Sequence, residues 1–271
     1  MNRMPALLFL VALALLLLAA SPAPAQEPPG TSATLDPYYA GFVIPRARIT
    51  AVDEPRFVPA AEADLPPDAW VFGVVVDGQA RAYDLNLLNH HETVNDQVGD
   101  KRFAVVWCPL ANAAAVYGRR YEGHDLAFEP DGGLLNASLV VRDRETDSLW
   151  SILTGDAIEG DFQGTRLDQW PVGEKVQWRD WRARHPDSLV LSVDGREHIR
   201  NNPYDMYLAS SAPFRGIETT DTRLGNREPV YGFRAGDRWY AVPFAALEDG
   251  AIFRAGGREL FLWRPAGVEI H

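Results

Sequence analysis

The sequence predicts a mainly β protein, a β-rich α+β fold of antiparallel hairpins with a few short helices. Three observations lead to this class. Strand-forming runs are separated by two-residue turns that contain Gly and Asp, helical periodicity is confined to brief stretches, and one plan of hairpins recurs near the C-terminus. Closely spaced strands with turn residues between them are typical of antiparallel sheets. The 271 residues are 46% hydrophobic, which is enough to fill a core.

The N-terminus has the pattern of an export signal. Arg3 is followed by an unbroken apolar run over 6–20 and by small residues over 21–25. The run is shorter than the roughly 18 residues of a spanning helix, so we predict a signal peptide over 1–25 that is cleaved after Ala25. Residues 26–37 are rich in Pro, Gly, Ser and Thr, which indicates a disordered tether. We expect a periplasmic or secreted protein with one domain over 38–271 and no stable membrane span.

The clearest local signal in this domain is a hairpin. Strand-forming residues over 71–76 lead into Asp77-Gly78, the favoured pair for a two-residue type I′ turn, and the chain returns over 79–83. This register places Gly73 opposite Ala82.

The later elements follow from the same rules. The pattern predicts, in chain order, a brief helix over 85–88, a hairpin over 92–107, a hairpin over 114–128, strands over 138–143 and 148–153, a helix over 177–185 and a strand over 188–192. The segment 194–229 is polar and too long for an ordinary connection. Such segments are typically lids, binding loops or disordered stretches.

The plan of hairpin, short helix and hairpin recurs near the C-terminus. It occupies about 70–109 and again about 229–265, where Gly232 falls opposite Ala241. We therefore predict an internal duplication. Because glycine lacks a side chain, we also expect another backbone or a ring to pack over the Gly–Ala pair of each copy.

Charge and cysteine content exclude several classes of function. The formal net charge of −11 opposes binding to nucleic acid or to anionic membrane surfaces. Cys108 is the one cysteine. The chain can therefore form no internal disulfide, no Cys-x-x-Cys redox pair and no multi-cysteine metal site.

Several short motifs stand out together along the chain. They are 53–57, 73–83, 89–96, 108–110, 143–144 with 148–151, 181–187 and 203–204. In this combination, from about 49 to 265, the chain resembles the bacterial and archaeal family called domain of unknown function 3179. The resemblance implies a shared fold and no established reaction.

The chain departs from the pattern of that family at chemically important positions. His90 stands where the family has Trp, whereas His91 and Glu92 keep their places. Ala111 stands where the family has the second Cys of Cys-Pro-Leu-Cys, and the motifs over 136–138 and 151–152 also differ. A role that needs both cysteines is therefore not implied for this chain.

Residues present in only one copy of the plan are the candidates for function, since shared features belong to the scaffold. The first copy alone carries His90, His91, Glu92, Asn95, Asp96 and Cys108. One hypothesis is a transition-metal site with His91 and Cys108 among its ligands, because imidazole, carboxylate and thiolate bind zinc or copper. A second hypothesis is an enzyme in which Cys108 is the nucleophile, His91 its base and Asn95 or Asp96 the orienting group.

A third hypothesis is an aromatic groove for a small molecule or glycan. The chain has 8 Trp and 9 Tyr, and Tyr204 and Tyr207 lie in the long polar segment, where binding residues often occur. The competing interpretation is that the thiol is inert and most aromatic rings fill the core. Because the second cysteine is missing, we favour a binding or accessory protein with a pocket around His91, Glu92 and Cys108.

Overall fold

The computed structural model describes residues 48–168, 173–212 and 221–264. The predicted signal peptide and tether lie outside these residues. Among the helices within them, none is both long and apolar enough to cross a membrane.

The fold is built mainly from short strands, as the sequence predicts. In chain order the strands are β1 (Arg56–Pro59), β2 (Trp70–Val76), β3 (Gln79–Asp84), β4 (Thr93–Val98), β5 (Lys101–Cys108), β6 (Ala113–Gly118), β7 (Arg120–Tyr121), β8 (His124–Asp125), β9 (Phe128–Leu135), β10 (Ser138–Asp143), β11 (Leu149–Ser151), β12 (Ala157–Glu159), β13 (Glu174–Gln177), β14 (Leu189–Ser192), β15 (Val230–Ala235), β16 (Arg238–Pro243), β17 (Ala251–Ala255) and β18 (Arg258–Leu262). The helices are α1 (Leu85–Leu88), α2 (Trp178–Arg184), α3 (Asp205–Leu208) and a 3₁₀ turn (Phe244–Leu247).

The first hairpin forms the middle of a five-stranded sheet in the order β1–β14–β3–β2–β13. Its predicted register is confirmed, because Gly73 pairs with Ala82. Asp77 and Gly78 have φ of 48° and 79°, as a type I′ turn requires. The pairs in this sheet are antiparallel except β14 with β3, which is parallel.

The predicted hairpin over 114–128 is wrong in its pairing. The strand β6 extends the sheet β4–β5–β6, and the hairpin that follows is reduced to β7 and β8. Phe128 begins β9, which pairs with β10 in the sheet β12–β11–β10–β9. The apolar residues of β6 are more fully buried beside β5 than they would be in an exposed ribbon, and tertiary burial therefore decides the pairing.

The strand β5 is the centre of the layered core. Its alternate residues contribute to two clusters, with Phe103, Val105 and Trp107 facing the five-stranded sheet and α1. Ala104, Val106 and Cys108 instead face the sheet that contains β10 and β11. A third cluster lies on the other side of the five-stranded sheet, where Trp178 and Trp181 of α2 cover it. The predicted helix over 177–185 is thereby confirmed with its two tryptophans buried.

The two Gly–Ala pairs have different surroundings. At Gly73 an added Cβ would overlap the indole ring of Trp181, so a ring packs over the first pair as predicted. The second pair has the predicted register, Gly232 opposite Ala241, but both residues are exposed. The expectation that a ring covers both pairs is therefore wrong for the second.

The C-terminal hairpins form two-stranded sheets of their own, β15–β16 and β17–β18, among the described strands. They share turn positions and hairpin order with the first copy. The first copy, by contrast, is built into larger sheets. The internal duplication therefore stays a prediction.

Candidate functional site

The predicted functional residues begin where α1 ends. Asp84 caps the helix by accepting a hydrogen bond from the amide of Leu87 at 2.7 Å. The amide of Glu92 donates to the carbonyl of Leu88 at 2.7 Å and closes the turn that follows. Glu92 has a φ of 57°, a left-handed conformation that residues other than glycine adopt uncommonly. This conformation leads the chain into β4, and the carbonyl of Glu92 accepts from the amide of Trp107 at 2.8 Å.

Glu92 carries a buried carboxyl group. The residue is 5% exposed, and its Oε1 accepts a hydrogen bond from the hydroxyl of Tyr204 at 3.2 Å. Burial raises the pKa of Glu92 to about 8, and the hydrogen bond from Tyr204 opposes this shift only in part. No positively charged side chain in the described part of the chain contributes to the shift. The carboxyl is therefore mostly protonated at neutral pH.

Cys108 lies at the end of β5 and is 1% exposed. Its Sγ accepts from the amide of Ala111 at 3.4 Å and from the amide of Leu139 at 3.3 Å. Burial, together with the charge of Glu92, raises the pKa of the thiol to about 11. Position 111, where the sequence comparison expects a second cysteine, thus lies directly beside the sulfur. Alanine there leaves a single, protonated thiol.

The helix α3 and the residues before it cover this region, and we refer to residues 202–208 as the cap. The hydroxyl of Tyr204 reaches Glu92, and that of Tyr207 donates to the carbonyl of Leu110 at 3.0 Å. Asn202 Oδ1 accepts from the amide of Tyr204 and from Asn89 Nδ2, both at 2.9 Å. The cap is therefore attached to the α1 turn, to Glu92 and to the Cys108 turn.

The structure thus brings Glu92, Cys108 and Tyr204 together, and we call these three residues the buried cluster. Burial raises the pKa of Tyr204, and ionisation of Glu92 or of Cys108 would raise it further. Burial likewise raises the pKa of Tyr207, and the charge of Cys108 adds to this effect. The cluster contains a carboxyl, a phenol and a thiol, all of which favour their neutral forms.

The two histidines are placed differently. The Nδ1 of His91 lies 3.0 Å from the carbonyl oxygen of Thr50, in an exposed position. The hydrogen bonds of Cys108 run instead to Ala111 and Leu139, and so His91 is not hydrogen-bonded to the thiol. His90 has a buried Nε2 with no hydrogen-bond partner among the described residues.

Asn95 and Asp96 connect structural elements. Asn95 exchanges hydrogen bonds with the backbone of Phe128, at 2.8 Å to its carbonyl and 2.9 Å from its amide, and so joins β4 to β9. Asp96 forms a buried ion pair with Arg81 and accepts from the hydroxyl of Tyr83 at 2.5 Å. These bonds are those of a scaffold that holds the sheets together.

The arrangement of metal-binding side chains does not support the predicted metal site. Within 48–168, 173–212 and 221–264, no three side chains from His, Cys, Asp or Glu lie close enough together to hold a metal ion. His91 and Cys108 as metal ligands therefore stay a prediction.

Sequence reasoning missed the residues that connect the cap, and the segment just before it, to α1 and its turn. Asn89 accepts from Trp107 Nε1 at 2.8 Å and donates to Asn202. His198 Nδ1 lies 3.0 Å from Asp84 Oδ2, and this hydrogen bond raises the pKa of His198. The pairs Asn89–Asn202 and Asp84–His198 are more than 110 residues apart in sequence, and a single sequence offers no spacing signal for such pairs.

Comparisons with known proteins agree with the resemblance drawn from the motifs. No curated protein and no solved structure is significantly similar to this chain. A family model described as a protein of unknown function, DUF3179, matches residues 46–269, which is most of the chain. The chain therefore belongs to the DUF3179 family.

Proposed function

We propose that this chain is a binding or accessory protein that holds a small cationic ligand at the buried cluster, beneath the cap. The observation that carries the proposal is the carboxyl of Glu92, which is buried and accepts a hydrogen bond from Tyr204 but has no cationic partner in the described part of the chain.

The sign of the ligand charge follows from this environment. A carboxylate that is removed from water needs a positive partner or several hydrogen-bond donors, and otherwise takes up a proton. A cation that enters the cluster would supply the missing charge and displace the proton from Glu92. The carboxyl, the thiol and the phenol of the cluster become negatively charged when they ionise, and none can become positive. Anionic ligands are therefore disfavoured.

The thiol of Cys108 adds a preference among cations. Sulfur is a soft ligand that suits copper and zinc, and the oxygens of Glu92 and Tyr204 lie in the same cluster. A transition-metal ion is therefore one member of the proposed class, and a small organic ammonium is the other. His91 is directed to Thr50, so we do not include it among the proposed ligands.

The alternative of a Cys/His-dependent enzyme gains no support from this geometry. A nucleophilic cysteine needs a stabilised thiolate and an accessible sulfur. Here the pKa of Cys108 is raised to about 11, and the ring of His91 is hydrogen-bonded elsewhere. The groove alternative is also weakened, because the hydroxyls of Tyr204 and Tyr207 point to partners inside the fold.

The cellular location belongs to the same proposal. The leader pattern over 1–25 favours export to the periplasm or the medium. A cation-binding protein in that compartment would encounter its ligand outside the cytoplasm.

The test is binding of defined cations to the purified protein. We would titrate Cu⁺ under anaerobic conditions, Zn²⁺ and butylammonium separately, and follow thermal unfolding and heat in two buffers of different ionisation enthalpy. We expect one of these probes to raise Tm by roughly 5 to 10 °C at about a hundred times its Kd. Butylammonium should release close to one proton for each ion bound, because Glu92 must lose its proton. A metal ion that also binds Cys108 should release close to two, because the thiol must lose its proton as well.

Variants assign that binding to the cluster. Glu92→Gln keeps the shape of the side chain and should abolish both the binding and the proton release. His91→Gln, at the neighbouring position, is the matched control and should retain them. The proposal is wrong if none of the three probes binds, or if a probe binds the Glu92→Gln variant as tightly as the wild type.

A further inference from the structure

The outer face of the β17–β18 hairpin exposes large apolar side chains. Four large apolar residues of the described ranges are more than half exposed, and three of them are Ile252 at 70%, Phe261 at 59% and Trp263 at 62%. Ile252 lies directly opposite Phe261, and Trp263 follows two positions later, so the three side chains share one face of the hairpin. Contiguous apolar patches of this kind on a soluble protein mark interaction sites.

The two rings on this face are held in a defined arrangement. The centroids of Phe261 and Trp263 are 5.6 Å apart and their planes differ by 20°. The ring of Phe261 and the Cβ of Trp263 border Gly250, where an added Cβ would lie 2.6 Å from Cζ of Phe261 and 3.3 Å from Cβ of Trp263. Little side-chain freedom would therefore be lost when a partner covers these rings, which favours binding.

The charges beside the patch indicate which kind of partner fits. Arg254 and Glu259 lie opposite each other on the same face, form an ion pair at 2.9 Å and are 85% and 63% exposed. One positive and one negative charge together do not complement an anionic membrane or a uniformly charged partner. They do complement their own image after rotation about a two-fold axis, which would bring Arg254 of each copy to Glu259 of the other.

We propose that this face binds a second copy of the same chain in a two-fold symmetric dimer. A self-complementary patch is what such an interface requires, since the same residues serve on both sides. Ile252, Phe261 and Trp263 form its apolar centre, and the charges of Arg254 and Glu259 set the register. The dimer does not depend on the cation site proposed above.

The size of the patch predicts the strength of the dimer. An aromatic side chain buries about 150 to 250 Å² when it is fully covered, and the side chain of Ile252 is smaller. Three such side chains, on average about three-fifths exposed, therefore offer roughly 350 Å² per copy. A standard interface buries about 800 Å² per partner. The apolar centre is thus close to half of such an interface, and we expect a reversible dimer that dissociates on dilution.

Dimerisation would also stabilise the β17–β18 hairpin. The strands β17 and β18 pair only with each other among the described strands, and an isolated two-stranded ribbon is marginally stable in water. A second copy laid over its exposed face would stabilise both hairpins at once.

The experiment is analytical ultracentrifugation of the purified protein from about 1 to 200 µM. We expect a concentration-dependent shift from monomer to dimer. A double variant, Phe261→Ser with Trp263→Ser, should weaken dimerisation at least tenfold. Arg254→Glu should also weaken it, and adding Glu259→Arg to that variant should restore it, because the exchanged charges again face each other across the axis.

Controls separate this interface from general effects. Met206→Ser removes the most exposed large apolar side chain of the described residues, at 90%, and should leave the dimer unchanged. Circular dichroism verifies that each variant is folded. A wild type that is monomeric at every concentration overturns the proposal, even if the patch is then found to bind a glycan or another protein. A dimer that survives the double Ser variant overturns it as well.

Discussion

Glu92 lies in a buried position that disfavours the charged form of its carboxyl group. A turn that requires a left-handed φ places the residue at the start of β4, and packing then buries the carboxyl beneath Tyr204. A non-glycine residue in such a conformation is worth attention because strained backbone often occurs at functional sites. The sequence motif marks Glu92 as a candidate but gives no indication that it is buried.

We predict that Glu92→Gln changes the pH dependence of stability. The pKa of Glu92 is raised from 4.5 to about 8 in the folded protein, so the folded state holds the proton more tightly than the unfolded state. This contribution is complete below about pH 4.5 and is lost as the pH rises through about 8. The free energy of unfolding should therefore fall over this window, by at most about 5 kcal/mol from this group.

Urea unfolding at pH 5, 6.5 and 8.5 measures the effect. The variant lacks the ionisable group, so its free energy of unfolding relative to that of the wild type should increase as the pH rises. Met206→Ser, which removes no ionisable group, serves as the control and should follow the wild-type profile. An unchanged difference between wild type and Glu92→Gln across the three pH values would show that the carboxyl is not buried in solution.

The cap is the element that decides access to the cluster. Tyr204 and Asn202 hold it against the α1 turn, and Cys108 beneath it is 1% exposed. We therefore expect the cap to open before a ligand or a reagent reaches the sulfur. Exposed short segments with few buried contacts open at low free-energy cost.

We predict that Tyr204→Ala exposes Cys108. The substitution removes the Tyr204 ring and the hydrogen bond that attaches the cap to Glu92. The thiol should therefore react with an aromatic disulfide reagent at least about tenfold faster than in the wild type. Tyr231→Ala is the matched control, since Tyr231 is 43% exposed on β15. Equal labelling rates for the wild type and Tyr204→Ala would mean that the cap does not limit access.

The two Gly–Ala pairs provide a comparison between equivalent positions of two hairpins. Gly73 lies against the ring of Trp181, whereas the nearest described atom to a Cβ at Gly232 is the carbonyl oxygen of Tyr240 at 4.0 Å. Gly73→Ala should therefore destabilise the protein by about 3 kcal/mol or more, because the ring and the backbone cannot both keep their places. Gly232→Ala should change stability by less than about 0.5 kcal/mol.

Thermal and urea unfolding of the two variants test this difference. The comparison is informative because both substitutions are chemically identical and both glycines pair with an alanine. Similar losses at both positions would mean that the second hairpin is covered in solution as the first one is.

At the scale of the whole molecule, stability comes from the packing of the layered core and not from covalent cross-links. Both faces of β5 are buried between other layers, and the chain has one cysteine. We predict that a reducing agent leaves Tm of the wild type unchanged, because there is no internal disulfide to break. Thermal scans with and without dithiothreitol test this, and a lower Tm with the reductant would reveal a disulfide between chains.

Much of the fold could be predicted from the sequence because its signals are local. Asp77-Gly78 specifies a turn and its register, and the spacing of Trp178 and Trp181 predicts the buried face of α2. The pairing of β6 with β5 could not be predicted, since it depends on which neighbour offers more burial. The cluster was predicted in part, through Glu92 and Cys108. Its contact with Tyr204 joins positions 112 residues apart, for which the chain carries no local signal.

The sequence by itself determined the β-rich class and the registers of the β2–β3 and β15–β16 hairpins, because turn chemistry and strand alternation act between residues close together in the chain. Its motifs indicated the family, and its single cysteine excluded an internal disulfide. Only the tertiary structure decided that Glu92 and Cys108 are buried with Tyr204 and that His91 is directed to Thr50. It also decided that one Gly–Ala pair is covered and the other exposed. Burial depends on which distant segments pack together, and that packing sets the protonation of Glu92 and the access to its site.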